Sequence, residues 1–112
     1  ALRRAVPLPG AGEARQRALA LQRRIDDLAA DETLERVPSA VGLAEGLVAE
    51  ARSLGHAGLE GEALLVLGRA QRAAGRTQPA EGTLHDAATR AAAARDDRTL
   101  ARAWVALVGV YA

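Results

Sequence analysis

Phenylalanine, methionine, cysteine, lysine and asparagine are all missing from this chain, and it holds one tryptophan and one tyrosine. Each gap excludes something. Without cysteine there is no disulfide framework, thiol nucleophile or thiolate zinc site, and the redox compartment cannot be read. Without lysine there is no P-loop, no Schiff base and no kinase-type phosphate-binding lysine within these residues. Without broad aromatic rings a wide sandwich core is hard to fill. The longest uncharged run, Ala103 to Ala112, has 10 residues, too few to span a bilayer. Gly42 and Gly46 form a Gly-x-x-x-Gly pair, but Glu45 and Glu50 beside them argue against a membrane helix. Nor is there a signal-peptide pattern. Because the chain begins at Ala1 rather than methionine, it is expected to be part of something longer.

What remains is alanine, glycine, arginine and leucine. Almost half of the 112 residues are hydrophobic, and much of that half is alanine, the best helix former and a small one. Such a core suits helices pressed close together, so the fold class is all-α. The length suits one domain with a modest core. All 15 basic residues are arginine, 14 acids intersperse them, and the formal charge is +1. That balance gives no global pull towards nucleic acid or an anionic membrane. Aromatics for base stacking are lacking as well, so no nucleic-acid partner is expected.

Pro7, Pro9, Gly10 and Gly12 mark residues 1–12 as a connector, with Leu2, Val6 and Leu8 expected to dock on the first helix. A helical domain is expected over 13–112. Its first helix spans about 13–32, with Ala14, Ala18, Leu21, Ile25 and Leu28 along one face, and its end falls between Ala30 and Arg36. Pro38 and Ser39 open a second helix, about 39–54, closed by Gly55. A third covers about 58–74 and is closed by Gly75. Thr77 or Gln78 caps a fourth, about 78–95, which contains Pro79. Asp96 or Asp97 caps a fifth, about 98–112, where a carboxylate also suits the helix dipole.

A shift of forty residues superposes the pattern on itself. Leu64, Leu67 and Gln71 fall on Trp104, Leu107 and Tyr111, while Ala80, Leu84 and Ala87 fall back on Ala40, Ala44 and Leu47. Ile25 and Leu28 match Leu64 and Leu67 only if the following loop changes length by one. Periods of this size read as a helical solenoid of about two and a half repeats. Leu64, Leu67, Gly68, Gly75, Ala80, Leu84 and Ala87 resemble the tetratricopeptide repeat in order and spacing. Gln71 stands where that pattern has an aromatic, Ala92 where it has a closing proline, and Val108 where Trp104, Leu107 and Tyr111 restart it without the usual glycine. The resemblance implies a right-handed stack of helical hairpins, about five helices in all, presenting a groove to a protein partner.

Over nearly the whole chain, segments such as "LVAEARSLGHAGLEGEALLVLGRAQRAAG", "AEGTLHDAATRAAAARDD" and "RAWVALV" look like the region downstream of the catalytic domain in large bacterial serine/threonine protein kinases, myxobacterial ones in particular. The excess of Ala, Gly and Arg fits a GC-rich bacterial genome. This similarity implies a parent with kinase activity and a sensing or docking role for the repeats. It leaves open cytoplasmic or extracytoplasmic placement, according to whether a membrane segment lies upstream. No nucleotide, metal or catalytic-base motif of a kinase occurs in these residues, so no enzyme activity and no cofactor are expected of them. The alternatives are the same module in a multidomain transcriptional regulator or adaptor, or a purely structural or dimerising spacer.

The candidate groove follows from helical spacing. Glu62, Leu65, Arg69 and Arg72 share one face of the third helix, rotated away from Leu64 and Leu67. Arg102 and Val105 are their equivalents on the fifth. An apolar floor with three guanidinium groups suits an acidic peptide or a carboxylate; the simpler alternative is a solvated face. His56 and His85, 29 residues apart and without cysteine or clustered carboxylates, read as a turn residue and an exposed helix residue rather than a zinc pair. Asp26–Asp27 and Asp96–Asp97 read as helix chemistry rather than acid/base pairs. Ser39 and Ser53 lack a nucleophile elbow. Trp104, Leu107 and Tyr111 either pack on the fourth helix alone or stay partly open and invite self-association.

Overall fold

The structure, a computed structural model, describes residues 11–31 and 38–111. The described residues form five α-helices and no strand: α1 (Ala11–Ala30), α2 (Pro38–Leu54), α3 (Ala57–Ala73), α4 (Thr77–Ala93) and α5 (Asp97–Tyr111). The connector over 1–10, with Leu2, Val6 and Leu8, lies outside the described residues, as does 32–37. Helix α1 starts at Ala11, so Gly12 belongs to the helix rather than to the connector.

One turn is used three times. In each, a residue with positive φ follows the helix: Gly55 (65°), Gly75 (80°) and Arg95 (57°). Its amide bonds back to Arg52, Arg72 or Ala92, and the next amide reaches one carbonyl further, to Ala51, Gln71 or Ala91. This double closure is the Schellman motif, which satisfies carbonyls that a helix end leaves orphaned. Glycine reaches that φ at no steric cost and arginine does not. The left-handed turn at Arg95 explains why α4 stops at Ala93, earlier than expected.

The starts of the helices are less uniform. His56 Nδ1 accepts from the Leu59 amide at 3.1 Å, and Asp96 accepts from the Thr99 amide at 3.1 Å and the Thr99 hydroxyl at 2.7 Å. Both are N-caps. For α4 the sequence points to Thr77 or Gln78, yet the cap position is Arg76, which makes no side-chain capping bond. The Schellman turn fixes the start here: Ala80 N bonds to Arg76 O at 3.0 Å, which draws Thr77 and Gln78 into the first turn. Pro79 then sits among the first residues of the helix, where its missing amide proton costs nothing.

Helix α3 is the centre. It packs on α1, α2, α4 and α5, and consecutive helices pack as hairpins, whereas α2 and α4 do not pack on each other. Accordingly its buried residues run round the cylinder, from Leu59, Ala63 and Leu64 to Leu65, Val66, Leu67 and Ala70, the pattern of a helix enclosed by others. Small residues set how near the backbones come. A Cβ added at Gly68 would fall 2.5 Å from Leu84, and one at Gly61 would fall 3.1 Å from the Ala91 backbone nitrogen. Burial repeats with the forty-residue shift: Ala40, Ala44, Leu47, Val48 and Ala51 of α2 and Ala80, Leu84, Ala87, Ala88 and Ala91 of α4 are all buried.

Candidate functional site

The six residues expected to line a groove occupy unequal places. Leu65 is only 5 % exposed and belongs to the core, so it offers no apolar floor to a partner. Val105, its counterpart forty residues on, is 71 % exposed and is the apolar member that solvent reaches. Arg69 is half-buried, while Arg72 and Arg102 are exposed. Among the described residues none of the three arginines is in an ion pair. The Arg72 guanidinium lies across α5, where Gly109 makes room: a Cβ there would stand 2.5 Å from Arg72 Nη1.

Glu62 is tied to α1. Gln22 Nε2 donates to it at 2.9 Å, across a separation of 40 residues. Burial pushes the Glu62 carboxyl above the usual carboxylate range. The Gln22 bond opposes that rise, Asp96 and Asp26 add to it, and His56 opposes it. Glu62 thus sits in an acidic neighbourhood, with the arginines on the same helices. Asp96 is pulled two ways. Burial raises its carboxyl, but the Thr99 amide and hydroxyl, with Arg98, outweigh this and hold it below the usual range.

The sequence reading missed a different polar centre. Glu60 is buried, with Arg52 of α2 at 3.0 Å and Arg90 of α4 at 3.4 Å. One carboxylate thereby joins α2 and α4, which do not otherwise pack. A helical-face count cannot find it, because the partners come from two other helices. Beside it opens a cleft of about 280 Å³ between α2 and α4, floored by Leu64 and Leu67 and edged by Glu45, Arg52 and Asp86. Its charges alternate in sign, which favours no one ligand charge.

His56 serves as a cap. His85 meets the Trp104 ring edge-on, with centroids 6.0 Å apart. Among the described residues no group of three His, Asp or Glu side chains is placed to hold a metal ion. No described helix is long and apolar enough to cross a membrane. Along α5, Leu107 is buried while Trp104 and Tyr111 remain 51 % and 63 % exposed. The Tyr111 hydroxyl donates to Glu81 Oε1 at 2.8 Å. Compared with protein-family models, with curated proteins and with solved structures, the chain finds no match.

Proposed function

We propose that this chain is a tetratricopeptide-like interaction module that holds an acidic peptide of a protein partner, as part of a bacterial serine/threonine protein kinase of the kind its sequence resembles. The observation that carries the reading is the alternation of contacts. First helices α1, α3 and α5 pack side by side, while second helices α2 and α4 stay apart. A stack with that asymmetry curves, with the first helices on its inner face, and a right-handed hairpin solenoid of this kind builds its binding surface there. The threefold recurrence of the same turn supports the same view.

On that face Arg69, Arg72 and Arg102 carry the charge and Val105 the apolar contact. Three guanidinium groups without ion-pair partners among the described residues favour carboxylates, which arginine binds through paired, planar hydrogen bonds. Glu62 fixes the opposite sign at α1, so a bound peptide is held in one direction. An array of acidic and basic dodecapeptides, probed with the chain and with Arg69→Glu/Arg102→Glu, tests this. The chain should select acidic peptides and the variant should lose them while keeping its helix content. Equal binding by both would remove the groove from consideration.

A further inference from the structure

We propose that Gly109 is a positioning residue of the arginine-bearing face. It seats the Arg72 guanidinium on α5, and so sets the distance between two carboxylates that the face accepts. The proposal rests on the acidic-peptide reading above and names the spacing of acids within such a peptide. Arg102, Val105 and Gly109 are spaced 3 and 4 along α5, which puts them on one face of the helix. Forty residues earlier the same positions of α3 hold Glu62, Leu65 and Arg69. Where α3 has an arginine, α5 has a glycine.

The neighbouring helix fills that gap. The nearest atoms to a Cβ built on Gly109 are Nη1, Cζ and Nη2 of Arg72, at 2.5, 2.8 and 2.8 Å. All three belong to the guanidinium, so the head of Arg72 lies where an α5 side chain would begin. Backbone geometry does not account for the glycine. Its φ is not positive, unlike that of Gly55 and Gly75, and alanine is the better helix former. The room it leaves for Arg72 does account for it. A Cβ there would push the guanidinium away, and the atoms displaced end a flexible side chain, so the fold can absorb the change.

Arg72 thus supplies from α3 the cation that α5 lacks at the position equivalent to Arg69. Neither Arg72 nor Arg102 is in an ion pair among the described residues. Arg102 and the seated head of Arg72 stand either side of Val105, which is 71 % exposed. From Arg102 to Gly109 the helix rises about 1.5 Å per residue, which sets the two cation positions about 10 Å apart. A peptide in the polyproline II conformation advances about 3.1 Å per residue and turns every third side chain to the same side. Two acids three residues apart therefore span the same distance and face the same way. Each carboxylate takes one guanidinium, and Val105 gives the apolar contact between them.

Labelled dodecapeptides of glycine and serine, carrying two glutamates two, three, four or six residues apart, test this by fluorescence anisotropy. The parent chain should bind the pair three apart about fivefold more tightly than the others. Gly109→Ala should weaken that binding by about the same factor and flatten the preference, with helix content kept. Arg72→Gln should do likewise, and the double variant should lose no more than either alone, because both changes remove the same seated cation. Nitrogen-15 relaxation of the Arg72 Nε–H group gives a readout without peptide: the group should become more mobile in Gly109→Ala. A parent chain that binds none of the peptides overturns the acidic-peptide reading and this proposal with it. Binding by Gly109→Ala equal to the parent's, or unchanged mobility of the Arg72 Nε–H group, overturns this proposal alone.

Discussion

Single residues at the turns and at Glu62 carry effects that can be isolated. Arg95 holds a φ of 57° at the position where the other two turns have glycine. The left-handed region costs a residue with a Cβ about 1–2 kcal/mol, and replacement by glycine recovers part of this after the added freedom of the unfolded chain is deducted. Arg95→Gly is expected to stabilise the chain by about 1 kcal/mol and Gly75→Ala to destabilise it by a similar amount, both read from urea unfolding midpoints. Glu62 supplies the pH dependence. Its folded carboxyl titrates above the unfolded one, so between those two values the folded state holds the extra proton, and stability falls as pH rises through that window. Glu62→Gln cannot lose a proton. Its thermal midpoint relative to the parent chain should therefore rise between pH 4 and pH 7, and a constant difference would contradict the assignment.

At the scale of elements, two hairpins share one design but not one fit. Helices α3 and α4 approach closely because Gly68 faces Leu84 without a Cβ. Gly68→Ala must displace a leucine that is fully buried, at a cost of about 1–3 kcal/mol, measurable as a lower denaturation midpoint with the same slope. The elements were largely legible in the sequence. Periodicity gave five helices, and Gly55, Gly75 and Asp96 marked ends and starts that the structure keeps. The start of α4 was not legible, because a hydrogen-bonded turn closing the preceding helix outweighed the capping preference of Thr77. The stop of α4 at Ala93 was hidden for a related reason, since nothing about arginine announces a left-handed conformation. The burial of Leu65 was also hidden. A face count places it beside Arg69 and Arg72, and only the folded structure shows that it is buried in the core.

For the whole molecule, the forty-residue shift is the thread from sequence to function. It is visible in the letters as a pattern of sizes, and in the structure as matched burial of α2 and α4. The sequence could not disclose the asymmetry between touching first helices and separated second helices, because that arises from how hairpins stack. Nor could it disclose Glu60 bridging Arg52 and Arg90, whose partners converge only when α2 and α4 flank α3. The proposed reading is of a stack with an arginine-bearing inner face, and the strength of acidic-peptide binding tests it most directly. Fluorescence anisotropy of a labelled acidic dodecapeptide selected from the array should show saturable binding, weakened by added salt as screening requires. Binding should be lost in Arg69→Glu/Arg102→Glu and regained by that variant for a peptide with its acids replaced by arginine. Retention of the acidic peptide by the charge-reversed variant would contradict the account.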